Sequence, residues 1–147
     1  MKKIAIIVLV TFATVSLANA QKEENALGVR LTGGAEVSYQ RYVSDGNRLE
    51  FDLGWGWNTA ALSGFYQWVN PITEGLKWYI GPGVSLGSYS NNGNSGVNLG
   101  VGGTIGLEYN FDFPLQLSLD WRPLIYFGTY DNQFGASNVG LGIRYRF

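Results

Sequence analysis

The sequence contains neither cysteine nor histidine. Without cysteine, a domain of this size has no disulfide staples and no thiol for lipid attachment, so its stability must come from another source. Without histidine it lacks the commonest general base and metal ligand. Its Asp and Glu residues are scattered, so no metal-ligand cluster is expected, and neither is a catalytic constellation or a cofactor. The longest apolar run, Ile4 to Leu17, falls short of the roughly 20 residues a helical membrane span requires. Helix formers such as Ala, Glu and Lys are sparse after residue 36, while Gly, Asn and aromatics are abundant, which favours strands and tight turns. There is no basic excess either, with 10 Lys and Arg against 11 Asp and Glu. A scattered, balanced set gives no electrostatic footprint for nucleic acid, and no nucleic-acid partner is expected.

What is present begins with an export signal. Lys2 and Lys3 precede the Ile4 to Leu17 run, and Ala18-Asn19-Ala20 follows it. A charged start, a short apolar core and a small-residue A-x-A site describe a secretory signal peptide over residues 1–20, cleaved after Ala20. The mature chain, 21–147, is then a single domain, and losing two lysines moves its net charge to about −3.

From residue 26 the chain alternates apolar with polar or glycine residues in segments of about ten, separated by turn clusters. Eight segments are expected, at 26–32, 36–42, 48–57, 59–69, 76–86, 97–109, 115–125 and 138–147. Gly33-Gly34-Ala35 and Ser44-Asp45-Gly46-Asn47 suit hairpin turns. Polar stretches at 88–96 and 127–137 are expected to be long loops. The third segment is the clearest, with Leu49, Phe51, Leu53, Trp55 and Trp57 on one face and Arg48, Glu50, Asp52, Gly54 and Gly56 on the other. The last is the strongest, since Val139, Leu141, Ile143, Tyr145 and Phe147 alternate with Gly140, Gly142, Arg144 and Arg146.

Alternation fits either a soluble β domain with apolar residues inside or a membrane barrel with them outside. The second face decides between these. It carries Arg30, Glu36, Glu50, Asp52, Lys77, Glu108, Asp120, Arg122, Arg144 and Arg146, five of each sign, with glycines between them. A balanced set suits a closed interior in which each charge has a partner, and small residues leave room for large ones in a narrow lumen. The aromatics Tyr39, Phe51, Tyr66, Trp68, Trp78, Tyr109, Tyr145 and Phe147 fall at one set of strand ends, and Trp55, Trp57 and Tyr126 at the other. Two such belts flank a hydrocarbon-crossing band. The expected fold is therefore all-β: an eight-stranded antiparallel up-and-down transmembrane β-barrel with a polar interior.

With this pattern in place, residues 26–147 resemble the small OmpA/OmpX-type bacterial outer-membrane barrels. The terminal strand carries the most specific likeness, with Ile143, Tyr145 and the final Phe147 in alternation. The resemblance implies that these three residues are the signal read by the barrel-assembly machinery, and that the protein resides among outer-membrane lipids. The family is functionally mixed. The leading expectation is a non-enzymatic barrel with a structural or surface-interaction role, its candidate extracellular ligand surface lying on 88–96 and 127–137. A lipid-modifying barrel enzyme is a weaker alternative, because the lipid A deacylase and palmitoyltransferase barrels of similar size both rely on a histidine. A narrow diffusion pore is the other alternative.

Gly100 to Gly106 is glycine-rich but lacks the strand-loop-helix setting and spacing of a nucleotide-binding loop, and is expected to make room inside the barrel. Pro82 and Pro123 sit within expected strands, where proline removes a ladder donor. A bulge or strand end accommodates such residues, and a sharper expectation is that they weaken pairing enough to admit a lipid or apolar ligand sideways.

Overall fold

A computed structural model describes residues 24–56, 58–128, 133–135 and 138–147. The leader at 1–20, Trp57 and Tyr130 lie outside the described residues. Ten strands follow in order: β1 (Asn25–Leu31), β2 (Ala35–Ser44), β3 (Asn47–Trp55), β4 (Thr59–Pro71), β5 (Leu76–Asn91), β6 (Asn94–Asn110), β7 (Leu115–Trp121), β8 (Leu124–Gly128), β9 (Gln133–Gly135) and β10 (Val139–Arg146).

All pairings are antiparallel between neighbours, and β1 pairs with β10 from Ala26↔Arg146 to Leu31↔Leu141, so the sheet closes. β7 and β8 both pair with β6 and form one wall, which makes the closed structure an eight-stranded barrel. β9 folds back on β8. Its shear follows from the registers: the row through Ala26, Gln40, Glu50, Phe65, Gly83, Gly102 and Leu124 climbs about ten residues per circuit, a stagger that eight tilted strands need to close.

Three expectations are corrected. First, 88–96 is not a long loop. The β5–β6 ladder runs on to Asn91↔Asn94, and only Asn92 and Gly93 turn the chain, with φ of 49° and 81°. Left-handed conformation at both positions is what a two-residue type I′ hairpin requires. The second polar stretch likewise contains ladder, because β8 extends to Gly128 and β9 lies within it. The first hairpin turn is also shifted by one residue: Leu31 pairs with Ala35, leaving Thr32, Gly33 and Gly34 as the turn.

Second, the seventh segment is not continuous: β7 ends at Trp121 and β8 begins at Leu124, a strand end of the kind expected at Pro123, and no bulge is present there. The register with β6 is the same on both sides, Ile105↔Trp121 before the gap and Gly102↔Leu124 after it. Gly103 N donates to Pro123 O at 3.2 Å, but proline has no N–H to return the bond. Pro82 stands opposite the same Gly103 in the β5–β6 ladder, and the β4–β5 ladder breaks where Gly81 and Pro82 face it. The two prolines thus flank one glycine in a single row across three strands.

Third, Tyr126 does not belong to an outer aromatic belt. It shares the face of buried Leu124, while Ile125 and Phe127 are exposed on the other side. A Cβ on Gly100, its cross-strand partner, would stand 2.9 Å from the Tyr126 ring, so the ring lies over that glycine on the lumen side.

Burial is inverted relative to a soluble domain. Leu53, Leu62, Leu86, Val97, Leu119 and Val139 are all exposed, while Arg30, Arg48, Arg122 and Arg144 are among the largest fully buried side chains. The buried apolar set is small: Ala26, Phe65, Val69, Tyr79 and Leu124.

Candidate functional site: the charged lumen and the two barrel ends

Alternation sends one face of every strand into the lumen, where ion pairs join residues far apart in the chain. Arg30 on β1 reaches Asp120 on β7, Nη2 to Oδ1 at 2.5 Å, and Glu36 on β2 at 3.0 Å. Arg122 binds Glu50, binds Asp52 at 2.7 Å, and places Nε 3.3 Å from Asp120. Arg144 donates to Glu50 at 3.0 Å, to Ser38 at 2.8 Å and to Ser118 at 2.6 Å. Glu50 is the hub, since it also accepts from Gln40 at 2.7 Å and Gln67 at 2.9 Å. Tyr79 donates to Asp120 at 3.2 Å, and the Arg122 guanidinium lies 4.3 Å from the centre of the Phe65 ring.

Such a cluster is held by its own pairing. Burying an ion costs several kcal/mol, and attraction at short range offsets this only when the remaining donors and acceptors are also satisfied. The neutral Ser38, Gln40, Gln67 and Ser118 supply part of those further bonds, while Arg48 Nη2 and Glu108 Oε1 are buried without one among the described residues. Glycines provide the space: a Cβ at Gly140 would collide with the Arg30 guanidinium, and one at Gly142 with Arg144 and Ser118.

Of the ten charges expected inside, eight join this network: Arg30, Glu36, Glu50, Asp52, Glu108, Asp120, Arg122 and Arg144. Lys77 and Arg146 sit at the mouth nearest the chain termini. Lys77 Nζ lies 5.7 Å from the Tyr42 ring, and Arg146 donates to the backbone oxygens of Phe111 at 2.7 Å and Phe113 at 3.2 Å. Arg48, expected on the inner face of the third segment but not counted among those ten charges, also belongs to the network. It is fully buried, pairs with Glu108 at 2.7 Å and donates to Gln67 at 2.8 Å. Its alternation with Glu50 and Asp52 carried the signal.

The terminal strand closes the barrel. Phe147 N donates to Asn25 O, Asn25 N donates to Phe147 O, and the Tyr145 and Phe147 rings stack at 6.5 Å. Ile143 pairs with Val29 and Leu117 on the outer surface. Other aromatic contacts lie outside the barrel: Tyr66 against Trp68 at 5.4 Å, and Phe111 between Tyr109 and Phe113 at 4.8 and 5.2 Å. Phe111 and Phe113 extend the aromatic set beyond the residues expected from sequence. At the opposite end Trp55 and Phe127 are exposed.

Chemically, the lumen is a filled plug. Among the described residues no group of acidic side chains is arranged to hold a metal ion. An open pocket of about 720 Å³ lies instead at the end away from the termini, between the β3–β4 turn and the β5–β6 hairpin tip.

No family model and no curated protein matches the chain. Among solved structures the chain is similar to the crystal structure of Neisserial surface protein A, with 15% sequence identity and a TM-score of 0.51, over 84% of this chain and 93% of that one. At that identity the likeness is one of fold. It joins the closed ladder, charged interior and apolar exterior in describing a transmembrane β-barrel.

Proposed function

We propose that this transmembrane barrel is a non-enzymatic integral protein of the bacterial outer membrane, with a structural or surface-interaction role. The observation that carries the proposal is the inside-out distribution of charge. Arg30, Arg48, Arg122 and Arg144 are buried and paired within a closed sheet whose outer face is aliphatic and aromatic. Closed barrels satisfy every backbone group without water, which suits them to lipid. A lumen crossed by side-chain ion pairs leaves little room for a continuous water path or a substrate, which weighs against both a wide pore and an interior active site.

In this reading residues 1–20 direct export and are removed, Ile143, Tyr145 and Phe147 are presented to the barrel-assembly machinery, and the end bearing the termini faces the periplasm. The partners are outer-membrane lipids, the assembly machinery during biogenesis, and an extracellular ligand at the opposite end. The test is membrane fractionation combined with gel mobility of boiled and unboiled samples. The expected result is partition with the outer membrane, a mature mass beginning at Gln21, and a heat-dependent mobility shift. Recovery in a soluble or inner-membrane fraction overturns the reading.

A further inference from the structure

The most distinctive surface away from the termini is defined by its lack of charge. No Asp, Glu, Lys or Arg occurs from Trp78 to Leu107, through most of the β5–β6 hairpin, or from Leu53 to Thr73 beside it. This region is held rigidly by backbone bonds. The ladder runs to Asn91↔Asn94, Thr59 on β4 pairs with Tyr89, Asn58 O accepts from Ser90 N at 2.8 Å, and the β3–β4 turn is pinned by Gly56 N to Thr59 O at 2.7 Å. The pocket of about 720 Å³ between turn and hairpin is bordered by Asn58, Thr59, Ser88, Tyr89, Ser90 and Ser95.

We propose that this pocket binds an uncharged carbohydrate. The proposal rests on the reading that this end of the barrel faces the outside of the cell. Its polar side chains are hydroxyls and an amide, which both donate and accept, as sugar hydroxyls do. An ionic ligand meets no counter-charge within the stretches 53–73 and 78–107 that frame the pocket, and loses hydration without compensation. An acyl chain meets only two aliphatic side chains at the border, Ala60 and Val97. A protein partner typically covers about 800 Å² on each side, a broader surface than a pocket between two hairpins presents. The volume lies within the roughly 300–1,000 Å³ range of small-ligand sites. Backbone pairing fixes the walls before the ligand arrives, which limits the ordering cost of binding.

The test uses the mature barrel refolded in a zwitterionic detergent without a sugar headgroup. Backbone amide shifts are followed during titration with neutral oligosaccharides built from glucose, galactose, mannose or N-acetylglucosamine, and with sulfated and sialylated counterparts. The expected result is saturable shifts confined to residues 58–60 and 88–97 for at least one neutral sugar. Affinity should fall about tenfold in an Asn58→Ala, Ser90→Ala double variant that keeps its heat-dependent mobility, as expected from losing about 1.4 kcal/mol of hydrogen bonding. No saturable response to any neutral sugar, equal or tighter binding of the charged counterparts, or unchanged affinity in the double variant overturns the proposal. Failure of the underlying orientation is read separately. The chain has no native cysteine, so an Asn94→Cys variant on intact cells should react with a membrane-impermeant maleimide, and absence of labelling overturns the surface reading whatever the sugars do.

Discussion

Phe147 and Asn25 exchange both of their backbone hydrogen bonds, at 2.9 and 3.0 Å, so the last residue of the chain completes the seam where the first strand meets the last. Deleting Phe147 removes both bonds and the stacked partner of Tyr145. The compact, heat-sensitive gel band should fall by at least half in cells. Undiminished assembly would show that neither the seam nor a terminal signal depends on this residue.

Arg122 answers three carboxylates at once, Glu50, Asp52 and Asp120. Arg122→Met keeps the bulk of the side chain but leaves that cluster with one fewer cation. Breaking a buried pair in this way is expected to cost about 3–5 kcal/mol in reversible urea unfolding from lipid vesicles. An Arg122→Met, Asp52→Asn double variant should recover part of the loss, because it also removes a buried negative charge. A loss below about 1 kcal/mol for the single change would mean the lumen is wet enough to screen the cluster.

At Gly28, a Cβ would run into the backbone of Ile143 and Arg144 across the β1–β10 seam, and backbone cannot rotate aside. Gly28→Ala should therefore destabilise the barrel by about 1–3 kcal/mol, as overpacking does. Gly33→Ala, with nothing within 4 Å of the new carbon, is the control and should change unfolding little. Equal midpoints for the two variants would contradict the close approach at the seam.

Pro123→Ala restores an N–H opposite Gly103, within the interrupted ladder. Hydrogen exchange at the Gly103 amide should slow at least severalfold, while global stability shifts by no more than about 1 kcal/mol, because the new bond is offset by a freer unfolded chain. Pro82→Ala should act in the same way on the β4–β5 side. If both variants exchange like the parent, the ladder gaps have causes other than proline.

Much of this architecture was legible in the sequence because lipid and lumen impose opposite demands on alternate residues. Where the contrast is sharp, as from Arg48 to Asp52 or Gly140 to Arg146, period-2 reading assigns each side chain to its face. The reading fails where contrast fades. From Ser88 to Gly96 every residue is small or polar, so no alternation distinguishes a paired hairpin from a loop, and only the ladder and the Asn92-Gly93 turn reveal it. Tyr126 escapes the pattern for a different reason. Carrying the alternation unbroken through Pro123 puts it on the face of Arg122 and Leu124, because the register against β6 continues across the break that proline marks between β7 and β8. The pairing within the lumen, such as Arg30 with Asp120 at a separation of 90 residues, depends on barrel closure and shear, which no local pattern encodes.

The crowd of buried arginines also bears on how the chain finds one register. In a sheet, slipping a strand by a single residue turns its entire inner face outward. For β10 that slip would carry Arg144 out of reach of Glu50 and onto the lipid-facing surface, at a cost that grows with depth from about 0–1 kcal/mol near the interface to roughly 2–4 kcal/mol at the midplane. Aliphatic residues entering the lumen in exchange would leave Glu50 short of a partner. The network thus makes register a matter of solvation as well as fit: a misaligned strand is penalised by the membrane that receives its charges, in addition to any penalty from poor packing.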